Sequence, residues 1–589
     1  MRASPVSSGS NSSLATAASP PRSDSAIALA IFAAALAARL VFLFTSPDCS
    51  WPHSTYYEGD AIMWVEWAAA LDSHQVFEFD LPIHPPGVAY PIAWLYRGVH
   101  QTGFVGMKIL WCMMSAGACS LTFLACARPL GRRVGVIAAM LLTFSFNQYL
   151  LATSLNSETP YVLLLATIVL LTQRVINLPG RRNVAALGAL HGLSLLLRPE
   201  HPILMLLLGA WMLVPRRTTT AVDTLVPLRV RFASVAAMGV IAIVTCLPWT
   251  VHAIVATHRF NNLQATANNY NLAPIEWTPS ARAALQAMPA FARNDLYAVF
   301  NHITQTAGRP SVSGDDVHQY LIQSFNWIPQ PLPEKVLVSS QGAFSFALAN
   351  HPDSDGGFSR AAIAHPMRGN NPTFAFSFPP HNRVFVDGWR VGWGYIKDDP
   401  RTWLRNVGRK FQRFANGVTC GFGAANLPLD RSGVREPVDM FVSDSSLVRW
   451  WQPIILILIA TGVVLAFVRR IPVSLWLLII LYKLLITVAF YGYARQGASI
   501  APAFYVFIAI ALDTMLVPFG RRAPKLMRRQ SATAIVFCLL MLAGDIAFSR
   551  RGVPAQIISK TIARPELGSG AFQAFNRIEI RCAPRGVVR

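Results

Sequence analysis

The sequence predicts a polytopic α-helical membrane protein: about 11 transmembrane helices, with a large extracytoplasmic loop domain of mixed structure. Three observations predict the membrane class. Of 589 residues, 53% are hydrophobic and only 14% charged, with mean hydropathy +0.39, well under the roughly 25% charge of a soluble chain. Apolar runs of up to about 20 residues recur, enough to cross roughly 30 Å of hydrocarbon. The basic residues gather between those runs on alternate sides, as the positive-inside rule requires.

Residues 1–25 are rich in Ser, Ala and Pro and read as a flexible cytoplasmic tail. The N-terminal membrane module occupies 26–256. Its first run, 26–45, reads as a membrane span, with a cleaved signal peptide as the alternative, disfavoured by the length of the run and the lack of a clear small-residue cleavage site after it. Further runs lie at 107–127, 134–151, 159–173, 184–197, 202–214 and 232–256, and the C-terminal helices of 450–549 at 451–468, 472–490, 498–518 and 532–549. Between 184–197 and 202–214, Arg198, Pro199, Glu200 and Pro202 break the pattern. They imply two thin helices joined at one surface, with a single kinked span as the alternative.

With the N-terminus inside, the inner loops carry 17 basic residues against one acid, Asp223. Most of the net charge of +22 therefore reports topology, not a nucleic-acid partner. Two long segments fall outside: the first loop, 46–102, with seven acids and one Arg, and a polar stretch, 257–449, long enough to bury its own core. The tail 550–589 follows, its side unsettled by Arg550 and Arg551. Cys112, Cys119 and Cys126 share one helical face and read as packing, while Cys49, Cys420 and Cys582 lie where a disulfide is allowed.

Charged groups beside a bilayer are costly and mark pathways or sites. The first loop reads Tyr56-Tyr57-Glu58-Gly59-Asp60-Ala61, later His84-Pro85-Pro86-Gly87. Glu58 and Asp60 flank a glycine, so both carboxylates reach one cavity as a base with an orienting neighbour or as a cation site. The bland alternative is a solvated pair. Gly87 to Tyr96 is too short to span and belongs in the interface. Arg198 and Arg495 are the basic residues of the short outer loops and suit a phosphate; pairing of Arg198 with Glu158 or Glu200 competes with that role. Asp399 and Pro400 start a helix with Trp403, Leu404, Val407, Phe411 and Phe414 on one stripe and Arg401, Arg405, Arg409 and Arg413 on another, an anion-seeking face. Lys108, Lys483, Asp513 and Asp545 inside the runs read as snorkelling or buried partners. His351, Asp353, Asp355, His365 and His381 match no ligand spacing.

The order of these motifs resembles the GT-C superfamily of polyprenyl-phosphate-sugar-dependent glycosyltransferases, in its protein O-mannosyltransferase and aminoarabinose transferase group. Tyr57-Glu58-Gly59-Asp60-Ala61 is similar to the family's acidic first-loop motif, and His84-Pro85-Pro86-Gly87 with Tyr90-Pro91 to its Pro-Pro segment. Gly131-Arg132-Arg133, Ser157-Glu158-Thr159-Pro160-Tyr161, Leu197-Arg198-Pro199-Glu200 and Leu247-Pro248-Trp249 are similar to its later turns.

The resemblance implies transfer of a sugar, with inversion, from a polyprenyl phosphate to an extracytoplasmic lipid, glycan or protein. Asp60 or Glu58 would be the base, with Arg198, Arg495, Arg405 and Arg409 on the donor phosphate and lipid and His84, Tyr57 and Glu158 on substrate. A divalent cation is compatible with such acids but not required by them. Ala- and Arg-rich usage points to a bacterial inner membrane, with the site facing outward. The alternative is a lipid-linked-sugar transporter or flippase; no internal repeat of the transporter kind is evident. A non-catalytic scaffold would leave the acidic loop without a purpose.

Overall fold

The computed structural model describes residues 22–45, 49, 51–52, 54, 60–73, 77, 81–98, 103–177, 179–214, 226–268, 276–286, 311–313, 331–357, 359, 379–419 and 446–520. Among these, four helices are long and apolar enough to cross a membrane: Ser23–Phe44, Phe104–Ala127, Glu158–Asn177 and Leu228–Asn262. Shorter apolar helices occupy His201–Leu213, Pro453–Val468, Ser474–Ala489 and Ala501–Leu516. The chain is a helical membrane protein.

Its first half runs α1 (Arg22–Thr45), α2 (Ala61–Asp72), α3 (Ala89–Gly98), α4 (Gly103–Ala127), α5 (Arg132–Phe144), α6 (Phe146–Ala152), α7 (Glu158–Asn177), α8 (Arg181–Leu197), α9 (His201–Leu213) and α10 (Leu228–Asn268). α4 lies at its centre, packed on α1, α5 and α7, while α8 packs on α7 and, more extensively, on α10. Small residues permit these approaches: a Cβ on Gly192 would meet the Ala242 carbonyl oxygen at 2.8 Å and Thr245 Cβ at 2.5 Å. Arg39, within α1, is fully buried and donates to Ser115 Oγ and to the carbonyls of Ala35, Thr143 and Leu142, so its charge is spent on tying α1 to α4 and α5.

The run 134–151 is not one span. It breaks at Ser145, whose backbone is extended (φ −65°, ψ 121°), giving α5 and α6. Polar side chains explain the break. Ser145 Oγ accepts from the Tyr505 hydroxyl at 2.9 Å, Asn147 donates to the Gly417 carbonyl at 2.7 Å, and Gln148 donates to the Ala498 carbonyl at 2.8 Å. A continuous helix would not aim all three at the C-terminal half. α10 likewise departs from expectation, continuing past residue 256 to Asn268.

A two-residue parallel pair, β1 (Glu276–Trp277) with β2 (Ser311–Val312), brackets α11 (Pro279–Gln286). Then come α12 (Gln341–Asn350), α13 (Pro379–Val386), α14 (Gly388–Asp398) and α15 (Pro400–Thr419), followed by α16 (Ser446–Val468), α17 (Ser474–Ala489), the short α18 (Ala494–Ala498) and α19 (Ala501–Gly520). α15 lies against α17 and α18, close enough that a Cβ on Gly492 would sit 2.0 Å from the Lys410 carbonyl oxygen. Its buried face differs from the predicted stripe: Leu404 is exposed, whereas Asn406, Val407, Lys410 and Phe414 are buried. Lys410 is accommodated by donating to Asn350 Oδ1 and the Val488 carbonyl, both at 3.0 Å; burial without a carboxylate pulls its pKa down to about 7.

Candidate active site

Three helix N-termini and one helix C-terminus meet at one end of the bundle. Asp60 caps α2, Glu158 opens the first turn of α7, and Glu200 caps α9 ahead of Pro202. Each is an anion at the positive end of a helix. Arg198 ends α8, its amide donating to the Ser194 carbonyl at 2.8 Å, and is extended as a residue before proline must be. Arg495 arrives from far along the chain on α18.

These charges form one chain of contacts. Arg495 Nη1 donates to Asp60 Oδ2 at 2.6 Å, and Arg495 Nε lies 3.7 Å from Glu158 Oε1. The same Glu158 oxygen is 2.5 Å from Arg198 Nη2, and Arg198 Nη1 is 3.7 Å from Glu200 Oε1. Lys483 Nζ then donates to Glu200 Oε1 at 3.0 Å and to Gln496 Oε1 at 2.5 Å. Below them Tyr161 donates to the Tyr482 hydroxyl at 3.2 Å and bonds His201 Nδ1 at 3.0 Å, and His201 Nε2 pairs with His191 Nδ1 at 2.8 Å. The Arg198 guanidinium lies over the Tyr161 ring, 6.0 Å from its centroid.

Exposure grades the chain from outside inward: 43% for the Asp60 side chain, 20% for Arg495, 8% for Arg198 and 1% for Glu158. An anion arriving from outside would meet Arg495 before Arg198. Burial alone would raise the Asp60 carboxyl; Arg495 outweighs it, with His84 and Arg198 adding, and holds the pKa below the usual carboxylate range. At Glu200 burial is likewise outweighed, by Lys483 and Arg198, which bring the pKa down to about 2.

His84 is half-buried, 5.9 Å ring to ring from Trp64, with Gln341 Nε2 at 3.0 Å from its Nδ1. The segment His84 to Gly87 is docked on the end of α8: Gly87 N donates to the Leu196 carbonyl at 2.9 Å, and any Cβ there would sit 2.7 Å from that oxygen. Tyr57 and Glu58 lie outside the described residues. The structure thus brings together Asp60, Arg495, Glu158 and Arg198 from separate loops, and the expected competitors Glu158 and Glu200 do hold Arg198.

Arg405 and Arg409 stand exposed along α15, Arg409 donating to Asn406 Oδ1 at 3.3 Å. Asp355 pairs with Arg413 at 2.5 Å, and His351 Nδ1 accepts from the Asp353 amide at 3.1 Å; His365 lies outside the described residues. Among the described residues no group of three His, Cys, Asp or Glu gathers as a metal site. In the cluster itself every described carboxylate already faces a guanidinium or ammonium, which is not an open cation site. Cys49, Cys112, Cys119 and Cys126 carry free thiols; Cys420 and Cys582 lie outside the described residues, as does the run 532–549.

Sequence reasoning passed over Lys483, Gln496, Tyr161 and His201 as members of this cluster. A lysine inside an apolar run was the available signal for the first, and the Ser157-to-Tyr161 turn for Tyr161; nothing local marked Gln496 or His201.

No family model and no curated protein matches the chain. Among solved structures it is similar to the archaeal oligosaccharyltransferase AglB from Archaeoglobus fulgidus, in complex with an inhibitory peptide and a dolichol-phosphate: 12% identity and a TM-score of 0.41, over 96% of this chain and 60% of that one. The chain therefore spans about 60% of the length of that protein.

Proposed function

We propose that this protein is a membrane glycosyltransferase that moves a sugar from a polyprenyl-phosphate donor to an acceptor outside the cytoplasm, with inversion. The supporting observation is the Asp60–Arg495 ion pair, a carboxylate and a guanidinium held 2.6 Å apart at the open end of an otherwise buried charge cluster.

In the ion-paired state Asp60 is a weak base. A donor phosphate entering beside Arg495 competes for its N–H groups, and the carboxylate, losing its main cation, gains proton affinity. Asp60 then takes the proton of an acceptor hydroxyl or amine. The acceptor's lone pair bonds to the anomeric carbon, the bond from that carbon to the phosphate oxygen breaks, and its electron pair leaves on the lipid phosphate. That phosphate gains one negative charge, which Arg495, backed by Arg198, stabilises as it develops. Arg405 and Arg409 would meet lipid headgroups along the membrane surface, and His84, Tyr57 and Glu158 would border the substrate. The membrane is then a bacterial inner membrane with the cluster facing outward.

Transfer of labelled sugar from polyprenyl phosphate, with Asp60→Asn and Glu58→Gln assayed side by side, tests this reading. Loss of about 100-fold or more in Asp60→Asn with normal insertion is the expected result. Normal turnover in Asp60→Asn with an inactive Glu58→Gln moves the base to Glu58, and normal turnover in both overturns the acid-base assignment.

A further inference from the structure

Lys483 is fully buried in α17, an apolar helix where an ammonium is costly and a methionine would fill the same space. Its three donors are not spent on backbone carbonyls, as those of Arg39 mostly are. One goes to Glu200, whose carboxylate lies 3.7 Å from Arg198, and another to Gln496, the chain neighbour of Arg495. The ammonium also lies over two rings, 5.7 Å from the Tyr161 centroid and 5.3 Å from that of Tyr482, and Tyr161 in turn lies under Arg198. A single side chain therefore reaches toward both arginines of the outer cluster, through a carboxylate on one side and an amide on the other.

From this geometry we infer that Lys483 is a positioning residue that sets where Arg198 and Arg495 stand relative to each other, and so sets the grip of the site on a phosphate. The inference rests on the reading of those two arginines as the donor-phosphate contacts. Lys483 acts in two ways. It satisfies the Glu200 carboxylate, which would otherwise close on Arg198 Nη1 and occupy donors that a phosphate needs. Through Gln496 it also fixes α18, a helix of five residues too short to hold Arg495 in place by its own hydrogen bonds. Around metal ligands the polar partners behind a first contact govern affinity by about 10- to 100-fold, and a change toward the lower end of that range is expected here.

The test is binding of undecaprenyl phosphate, with undecaprenol as the phosphate-free control, to the full-length protein in lipid nanodiscs. Wild type is compared with Lys483→Met, Lys483→Arg and Gln496→Leu. The last removes only the arm toward Arg495 and changes no charge. Expected are a Kd for undecaprenyl phosphate raised about tenfold or more in Lys483→Met, a smaller rise in Gln496→Leu, and substantial rescue in Lys483→Arg, with undecaprenol binding unchanged throughout. If Lys483→Met lowers the melting temperature or yield while its folded fraction binds undecaprenyl phosphate like wild type, the residue is only a structural counter-ion and the inference is overturned. If wild type itself shows no preference for undecaprenyl phosphate over undecaprenol, the functional reading fails, and this inference with it.

Discussion

Neutralising Glu158 exposes how the cluster is balanced. Its side chain is 1% exposed, with one oxygen 2.5 Å from Arg198 Nη2 and 3.7 Å from Arg495 Nε. The contacts described above join three cations, Arg198, Arg495 and Lys483, to three carboxylates, Asp60, Glu158 and Glu200. In Glu158→Gln the shape is kept while one anion is lost, leaving three cations against two. Removing one partner of a buried pair costs about 3–5 kcal/mol. Here the lower end applies, because Arg495 is partly solvated and keeps Asp60, and Arg198 keeps Glu200 within 3.7 Å. The expected loss is about 3 kcal/mol. Arg198→Met alone should cost a similar amount, yet the double variant should cost less than the two losses added, with a coupling of about 2 kcal/mol between residues in direct contact. Reversible unfolding in a single detergent, followed across the four proteins of the cycle, measures this. A Glu158→Gln variant within about 0.5 kcal/mol of wild type, or strict additivity, would refute the reasoning, because the carboxylate would then not be the shared partner of both guanidinium groups.

Two further outcomes follow from the same geometry. Asp60 and Glu200 have folded-state pKa values below their unfolded ones, so the unfolded chain binds protons first as the pH falls; the stability these pairs supply is present above about pH 5 and drains away toward pH 2. Melting temperature should fall through that window, and Glu200→Gln should flatten the decline; a Glu200→Gln profile as steep as wild type would contradict the assignment. Gly87→Ala forces a methyl to 2.7 Å from the Leu196 carbonyl oxygen and should destabilise by about 1–3 kcal/mol, with His84 displaced from the cluster's edge. An unchanged melting temperature would show that the segment is not docked as described.

Much of this was legible in the sequence, and the misses have physical causes. Apolar length located helices because a lipid-facing helix cannot carry charge: the runs from 26–45 to 498–518 fall on helices, that of 134–151 on two, and four of the described helices are long and apolar enough to cross a membrane. Ser145, Asn147 and Gln148 escaped as a helix break because their partners, Tyr505, Gly417 and Ala498, lie some 270 to 360 residues away in the chain. At the site, Asp60 could be named from the acidic first loop, and Glu158, Arg198 and Arg495 because charge in a short outer loop is conspicuous. Their meeting could not, since it depends on Arg495 crossing 435 positions of sequence to reach Asp60. Lys483 reads as snorkelling or as a buried partner, and it is a buried partner; which acceptors it meets, Glu200 and Gln496, could not be read from the chain. On α15 the helical stripe was drawn from apolar residue types and put Leu404 inside, whereas Lys410, bonded to Val488 of α17, and Asn406, facing the His351 and Pro352 carbonyls, are buried instead.

The most direct test places a lone cysteine at the most exposed position of the cluster. In a background lacking the eight native cysteines, Asp60→Cys should react with a membrane-impermeant maleimide in intact cells, and undecaprenyl phosphate should slow that reaction where undecaprenol does not. Labelling only after the membrane is permeabilised, or at a rate indifferent to the lipid phosphate, would contradict an outward-facing pocket for a lipid-carried sugar.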